Sequence, residues 1–593
     1  MTVFDYLGLL GGVAMLLFGM SLMGDGLNVV SGGKMEGLLK RLVSSKIKGV
    51  LLGAGVTAVI QASAATTVMV VALVNSGVLQ LQQAVSIIMG ANVGTTITAW
   101  ILSLSGLSGE NFWIQMLKPS SFSPILALVG VIILFRAKNE NQKAKSSVLL
   151  GFSVLMFGME TMMRSMEPLQ TSAAFFKIVN LFSNPVLGLL LGMGITALIQ
   201  SSSAFTGILQ ALSSTGAITF GAAIPVIMGQ NIGTCVTALL SGIGAEVNAK
   251  RAAIIHLIFN VLGTGLFLCA FYLGNLLFHY TFLNDTVNAV NIAIIHTTFN
   301  VATTLALYPF SDKLVELSAK IIKDKKPTVV EDAVEQDLKL LEPRLLNRPD
   351  FAVQQAYSVL CGMMRLATEE FGETVLLMQE YTPERYEKIE QMERQVDRYE
   401  DALQDYSVHI SKASLSDIDA HKLTVIMYTL NDIERISDYG INLADQVLKS
   451  VESPQQFSKI ARLELKVYAS AVQEIVENTF RALESLSYDE AIQIEPLEEC
   501  IDEINQTLSH RHIARLQNGA CSALNGPIIV EMFNSLERIA DHCSNIGISV
   551  IQYTTKKYLA HEYQSHIDKS SEKFRQKFDY YVAKYPLPAA AEK

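Results

Sequence analysis

Apolar and polar positions divide the chain into two unlike halves. Residues 49–109 and 178–245 contain no Asp, Glu, Lys, Arg or His, whereas charge is dense after about residue 313. The uncharged stretches predict helices in a lipid environment, and the charged half shows helical periodicity with few Gly, few Pro and almost no strand signal. The first apolar run, about residues 6–30, has no basic leader and no small-residue cleavage site, so it reads as a retained spanning helix. The expected fold class is all-α: a polytopic membrane half followed by a soluble helical half.

Polar residues inside the apolar half recur in register. Gly55-Val-Thr-Ala-Val-Ile-Gln61-Ala-Ser-Ala-Ala-Thr-Thr67 is followed by Gly194-Ile-Thr-Ala-Leu-Ile-Gln200-Ser-Ser-Ser-Ala-Phe-Thr206, an offset of 200 − 61 = 139 residues. Without a gap, that offset pairs Phe18-Gly19-Met20 with Phe157-Gly158-Met159, and Gly77 with Gly216. It also pairs Gly90, Asn92, Gly94 and Thr95 with Gly229, Asn231, Gly233 and Thr234. One unit of chain is duplicated. An unpaired polar group in lipid costs several kcal/mol, roughly, so hydroxyls and amides at these depths need partners, and a transported solute is one.

Basic residues in short loops mark the cytoplasmic side. Residues 34–48 carry Lys34, Lys40, Arg41, Lys46 and Lys48, while the matching 173–187 has only Lys177. Residues 105–112 have none, while the matching 244–251 has Lys250 and Arg251. Equivalent loops thus fall on opposite sides, which predicts an inverted repeat with the N-terminus outside and the C-terminus inside. The Gln61–Thr67 stretch, the Asn75-Ser76-Gly77 turn and Asn92-Val-Gly-Thr-Thr96 interrupt the apolar runs into pieces shorter than the roughly 20 residues a span needs, predicting broken helices and re-entrant hairpins. With no Lys or Arg there, an oxyanion would be held by hydroxyls, amides and helix N-termini, with co-bound cations neutralising it.

The net charge of −10 argues against a nucleic-acid surface. Cys235, Cys269, Cys361, Cys500, Cys521 and Cys543 show no CxxC or zinc-finger spacing. No nucleotide-binding Gly loop, nucleophile–base pair or catalytic metal motif is present, so a binding protein rather than an enzyme is expected.

The membrane half resembles the type II sodium-phosphate cotransporters, whose signature is a Gln-Ser-Ser-Ser motif in each of two inverted repeats. Gln200-Ser201-Ser202-Ser203 matches it in full, and Gln61-Ala62-Ser63-Ala64 keeps only the Gln and the central Ser. By resemblance, Gln61, Ser63, Thr66, Thr67, Gln200, Ser201, Ser202, Ser203 and Thr206 would line phosphate and sodium sites, joined by Asn92, Thr95, Thr96, Asn231 and Thr234. His256-Leu-Ile-Phe-Asn260 and His296-Thr-Thr-Phe-Asn300 place His and Asn one turn apart on one face. A structural pairing between those two helices is expected, with proton coupling as the alternative.

In the soluble half, Asn431-Asp-Ile-Glu434-Arg-Ile-Ser-Asp438 recurs as Asn534-Ser-Leu-Glu537-Arg-Ile-Ala-Asp541, an offset of 541 − 438 = 103. Each copy has an earlier acidic pair, Glu393 with Asp397 and Glu498 with Asp502. Like charges four apart on a helix destabilise by roughly 0.2–0.5 kcal/mol unless a cation or a basic neighbour compensates. Either a hard or borderline metal (magnesium, calcium, manganese, iron) or the neighbours Arg394, Arg435 and Arg538 would serve. Glu-Arg-Ile-x-Asp in tandem three-helix bundles resembles the PhoU family of phosphate regulators, which implies metal at these pairs.

The expected domains are a first membrane repeat (1–139), a second repeat with an extra helix (140–312), a linker (313–348), a PhoU-like helical domain (349–565) and a tail (566–593). Together the resemblances imply a bacterial plasma-membrane carrier of inorganic phosphate and sodium with a cytoplasmic regulatory domain; exposed helical bundles make a homodimer an expectation, and a cytoplasmic regulatory protein is a further expected partner. A phosphate exporter, a carrier of another oxyanion, or a non-transporting phosphate sensor are the alternatives.

Overall fold

The computed structural model describes residues 2–31, 45–106, 118–323, 333–413, 415–518, 524–555 and 571–589. Lys34, Lys40, Arg41, Lys325, Lys326, Pro327, Cys521 and residues 107–112 lie outside them. All regular elements among the described residues are helices, apart from an isolated bridge between Thr219 and Thr286. The chain divides into two units: residues 1–330 with 342–351 and 415–418, and the remainder.

The first unit contains α1 (Val3–Ser31), α2 (Lys46–Ile60), α3 (Ser63–Asn75), α4 (Leu81–Ser103), α5 (Pro119–Arg136), α6 (Glu140–Met166) and α7 (Ala173–Leu181). It continues with α8 (Pro185–Ile199), α9 (Ser202–Ser213), α10 (Phe220–Ser241), α11 (Val247–Phe278), α12 (Ala289–Leu307) and α13 (Ser311–Ile321). Segments around α1, α4, α6, α10, α11 and α12–α13 are long and apolar enough to cross a membrane. In contrast α2, α3, α8 and α9 have 15, 13, 15 and 12 residues. At 1.5 Å per residue they reach roughly 18–23 Å, short of a hydrocarbon core of about 30 Å.

Glycine packing shows how the duplicated units are built. The helices α2 and α4 run parallel in close contact: a Cβ on Gly94 would lie 2.5 Å from the Ala54 carbonyl, and one on Gly49 2.8 Å from Ser86 Cβ. The equivalent α8 and α10 repeat the spacing, with Gly233 2.5 Å from the Met193 carbonyl. Because α4 starts level with the start of α2, α3 must carry the chain back, which makes α2–α3 a hairpin of two short helices.

Between the copies, α1 packs on its own equivalent, α6. A Cβ on Gly12 would lie 2.9 Å from the Gly158 carbonyl, and one on Gly19 2.7 Å from the Gly151 carbonyl. Since 12 + 139 = 151 and 19 + 139 = 158, the contact is reciprocal, and the pairing of low with high numbers makes the two helices antiparallel. Leu16 and its equivalent Leu155 are fully buried in this seam with Met23, Met156, Met159, Met162 and Met166. Each hairpin then leans on the other copy: α3 packs on α10 and α11, and α9 packs on α4.

Of residues 313–348, expected to be a linker, those described up to 323 and those from Glu342 belong to the first unit. Helix α13 runs through the boundary to Ile321, and Glu342 accepts from Asn75 Nδ2 at 2.5 Å while Arg344 donates to the Ile243 carbonyl at 3.0 Å.

The second unit contains α14 (Ala333–Leu338), α15 (Pro349–Gln379, of which the first three residues count with the first unit), α16 (Pro383–Ile410) and α17 (Asp417–Glu452). After these come α18 (Lys459–Ser485), α19 (Tyr488–Ala491), α20 (Ile494–Gln517), α21 (Gly526–Thr555) and α22 (Glu572–Lys584). Polar ties join α15, α16 and α17: Arg385 to Glu373 at 3.0 Å, Tyr386 Oη to Asp445 at 2.6 Å, and Ser437 Oγ to Glu370. Helices α18, α20 and α21 pack mutually, and buried Glu464 accepts from Arg511 at 3.0 Å and Arg515 at 2.7 Å. Helix α22 (Glu572–Lys584), in the stretch expected to be tail, packs on α20 and is anchored by Lys584 to Glu474 at 2.7 Å.

Candidate functional site

Helix α2 ends at Gln61 (φ 60°, ψ 18°) and α8 ends at the equivalent Gln200 (φ 58°, ψ 22°), both left-handed. A non-glycine residue there costs about 1–2 kcal/mol, so two matched instances show that the surrounding packing imposes the break. Each amide closes the helix on a threonine carbonyl, Gln61 on Thr57 at 2.8 Å and Gln200 on Thr196 at 2.7 Å. The next residues, Ala62 (φ −145°, ψ 104°) and Ser201 (φ −140°, ψ 107°), are extended and begin α3 and α9. Ser201 Oγ accepts from the Ala204 amide at 3.2 Å; Ala62 has no side chain to do so. The first-turn amides of α3 are therefore open to an external acceptor, which the positive end of a helix favours when it is anionic.

The motif residues divide by what their side chains do. Ser63, Ser202 and Ser203 are 3%, 5% and 5% exposed, and their hydroxyls make no hydrogen bond among the described residues. Thr67 and Thr206 turn back to the carbonyls of Ser63 and Ser202, at 2.8 and 2.9 Å. Thr66 Oγ1 accepts from Thr57 Oγ1 at 3.0 Å, tying the two arms of the first hairpin. Gln61 is buried and its Oε1 accepts from Thr98 Oγ1 at 2.8 Å. The second copy departs from this. Gln200 is exposed and without a side-chain hydrogen bond among the described residues, while Thr237, the equivalent of Thr98, has a buried hydroxyl with no partner.

A second break was expected at Asn92–Thr96 and is absent. Helices α4 and α10 are continuous over 23 and 22 residues. Thr95, Thr96 and Thr234 are buried, with hydroxyls donating to the carbonyls of Ala91, Val93 and Gln230 at 3.0, 2.7 and 3.0 Å. The helix absorbs its own polar groups, and its glycines serve helix contact instead of a turn. Asn231 donates to the Ile227 carbonyl at 3.3 Å. Asn92 reaches across to α11, donating to Asn260 Oδ1 at 3.1 Å, and lies 3.4 Å from His256 Nε2. The two His-x-x-x-Asn helices pack on each other, but no hydrogen bond joins the two His–Asn pairs among the described residues: Asn260 and Asn300 each donate to the His carbonyl of their own helix, at 2.9 and 2.8 Å.

Sequence reasoning missed Gln230. It is fully buried, and its Nε2 donates to the Ser202 carbonyl at 3.1 Å and Thr206 Oγ1 at 2.7 Å. Its orientation is fixed because a flipped amide would face the Ser202 carbonyl with oxygen. Its Oε1 is left buried without a partner, and the first copy has Ala91 at that place. The unequal residue at one repeat position was the available signal.

In the second unit, carboxylate oxygens of Glu498, Asp502 and Asp541 lie within 4.8 Å of one another, whereas Glu537 is not part of the group. Three carboxylates at that spacing fit an oxygen-liganded cation. Asp541 also has Arg538 at 3.5 Å. In the first bundle Arg435 contacts both Glu434 (3.4 Å) and Asp438 (3.2 Å). One arginine does not neutralise that cluster. Burial and Asp438 push Glu434 up to about 7, and burial with acidic neighbours raises Glu393, Asp397 and Glu400.

Comparison with known proteins agrees with both halves. A family model described as Na+/Pi-cotransporter matches residues 15–164 and 154–287, and the PhoU domain model matches 360–447 and 465–550. A protein of Escherichia coli O157:H7 named as a candidate inorganic phosphate export protein, YjbB, is 23% identical over 92% of this chain and 97% of its own length. YqeW of Bacillus subtilis, uncharacterised, is 30% identical over 43% of this chain and 80% of its length. The human protein named sodium-dependent phosphate transport protein 2B is 42% identical over 14% of this chain and 13% of its length. The solved regulatory protein PhoU of Streptococcus pneumoniae aligns with 36% of this chain and 99% of its own at 20% identity and a TM-score of 0.33. The chain belongs to the Na+/Pi-cotransporter family of phosphate transport proteins and carries a PhoU domain in its C-terminal half.

Proposed function

We propose that this protein is a sodium-coupled carrier of inorganic phosphate that works by alternating access, with its PhoU domain regulating flux. The observation that carries the reading is the matched pair of left-handed breaks at Gln61 and Gln200, followed at the next helix start by Ser63 in one copy and by Ser202 and Ser203 in the other, whose hydroxyls are unengaged among the described residues. Phosphate is acceptor-rich, and these groups are donors. Ser63, Ser202, Ser203 and the open first turn of α3 bind it, Gln200 and Ser201 border it, and sodium ions as cargo offset its charge.

The antiparallel packing of α1 on its equivalent α6 supports an inverted repeat, because equivalent helices of a parallel duplication would run the same way. The unequal copies support alternation. The Gln61–Thr98 bond is made and its counterpart between Gln200 and Thr237 is not, so the second hairpin is the open one and exchange of the two states moves the site across the bilayer. The chain sits in a bacterial plasma membrane with its N-terminus outside and the PhoU domain in the cytoplasm as a homodimer, where a regulatory protein docks. Glu498, Asp502 and Asp541 would hold a cation, whose charge would draw the helices of that domain together. No covalent chemistry is involved.

Export is the second reading, favoured by the full-length relative named for it. Equilibrium binding of radiolabelled phosphate to purified protein in sodium and in potassium decides the first point: sodium-dependent binding lost in Ser202→Ala supports the carrier, and equal binding in both salts refutes sodium coupling. Efflux from phosphate-loaded cells separates export from import.

A further inference from the structure

The His-x-x-x-Asn pairs extend by one more turn to threonine. His256, Asn260 and Thr264 on α11 and His296, Asn300 and Thr304 on α12 are spaced four apart, and all six are at most 6% exposed. The two helices pack together, and a Cβ on Gly263 would lie 3.1 Å from Thr303 Oγ1.

Unpartnered buried atoms collect on these stripes: His256 Nδ1, Thr264 Oγ1, both ring nitrogens of His296, Thr303 Oγ1 and Thr304 Oγ1. Threonines elsewhere in the bundle, such as Thr67, Thr95, Thr206, Thr234 and Thr297, donate to a carbonyl of their own helix. Thr264, Thr303 and Thr304 make no such bond. A neutral imidazole always carries one N–H donor and one bare nitrogen, so His296 alone needs two partners. Ordered water would satisfy groups this dense, since a buried water makes about three hydrogen bonds to such atoms.

We propose that α11 and α12 enclose a file of ordered water that reaches Asn92 through His256, and that His296 relays protons along it. An excess proton passes from a hydronium of the file to the bare ring nitrogen of neutral His296, leaving water behind, while the other nitrogen gives its proton to the next water, which becomes the hydronium. Tautomer exchange restores the ring with no net bond change.

Few other ionisable groups attend the seam. Cys235 contacts Asn260 Nδ2 at 3.3 Å; α3, α4 and α9 contribute none, and α12 none besides His296. On α11 the others are Lys250, Arg251 (held by the Ile322 carbonyl), Cys269 and Tyr272, and on α13 Asp312, Lys313, Glu316 and Lys320.

The test has two arms, on full-length protein. In the first, thermal midpoints of Thr264→Val, Thr304→Val, the double variant and Thr304→Ser are compared with wild type. Valine matches threonine in shape, so in a dry seam deleting an unsatisfied hydroxyl raises the midpoint, and the two effects add. A shared water file predicts lower midpoints for both valine variants, a double variant short of the sum, and recovery in Thr304→Ser. Raised or additive midpoints overturn the file.

The second arm follows sodium-driven phosphate uptake from pH 5.5 to 8.5 and rests on the proposed function. His296→Gln keeps hydrogen-bonding groups but cannot titrate, so it loses a bend that wild type shows. A superimposable profile overturns the relay. Absent uptake in wild type would overturn sodium-phosphate transport itself, and the thermal arm still decides the file.

Discussion

Gly94→Ala should destabilise the membrane unit where Gly55→Ala does not. The added Cβ at 94 would lie 2.5 Å from the Ala54 carbonyl and 2.8 Å from Thr57 Cβ, whereas one at 55 meets nothing within 4 Å. Both sites are interior to helices, so the propensity gain of roughly 1 kcal/mol cancels in the comparison. What is left is overpacking, typically about 1–3 kcal/mol. At roughly 2–4 °C per kcal/mol, the midpoints should differ by about 2–12 °C. Moving the carbonyl out to an ordinary 3.4–4 Å parts the helices by roughly 0.9–1.5 Å, and the 2.8 Å bond from Thr98 to Gln61 then stretches past good geometry. Transport should fall along with stability. The second copy offers an internal replicate, because Gly233 meets the Met193 carbonyl at the same 2.5 Å and Gly194 meets nothing. The assay is thermal unfolding of the four purified variants in one detergent. Equal midpoints for Gly94→Ala and Gly55→Ala would refute the packing argument, and a penalty in only one copy would refute the equivalence of the repeats.

Ser202→Ala removes a hydroxyl that holds nothing in the protein, so the midpoint should stay within about 0.5 kcal/mol of wild type while phosphate affinity drops at least tenfold, roughly 1.4 kcal/mol. Ala62→Ser restores the cap that Ser201 makes from nearly the same backbone angles, and should raise stability by about 0.5–2 kcal/mol, read from the same thermal assay. Gln230→Leu gives up two hydrogen bonds to α9 and should cost about 1–3 kcal/mol, less whatever the orphaned Oε1 now costs. In the PhoU domain, Glu434 binds its proton more tightly folded than unfolded, so its contribution is present below the unfolded value near 4.5 and is lost as pH rises through about 7. With chelator present the domain's midpoint should therefore fall between pH 5 and 8, and manganese or magnesium should restore it more at pH 8 than at pH 5; a flat profile would remove the case for crowded, cation-seeking carboxylates.

Much of this architecture was legible because the chain writes it twice. A register of 139 residues located both left-handed breaks, and the absence of charge over 49–109 and 178–245 located the membrane unit. Spacing four apart put Glu498 and Asp502 on one helix face, but that Asp541 of another helix joins them while Glu537 does not is a matter of tertiary packing. What spacing could not tell is whether a polar run breaks a helix or is absorbed by it. Asn92–Thr96 looked like a second interruption, yet its threonines bond to carbonyls of the preceding turn and Gly94 serves the close contact with α2. Nor does a repeat disclose where its copies differ in conformation. Gln61 and Gln200 occupy the same position, and only the structure separates the engaged one from the exposed one. The partner of Asn92 proved to be α11, beyond the end of the first repeat, because that contact comes from tertiary packing and has no local signature.

Accumulation of radiolabelled phosphate in proteoliposomes of the full chain, under an inward sodium gradient and a matched potassium gradient, tests sodium-coupled transport most directly. The account predicts uphill accumulation with sodium alone, abolished in Ser202→Ala and in Gln200→Ala. Equal accumulation under both gradients, or normal sodium-driven uptake in either variant, would contradict it.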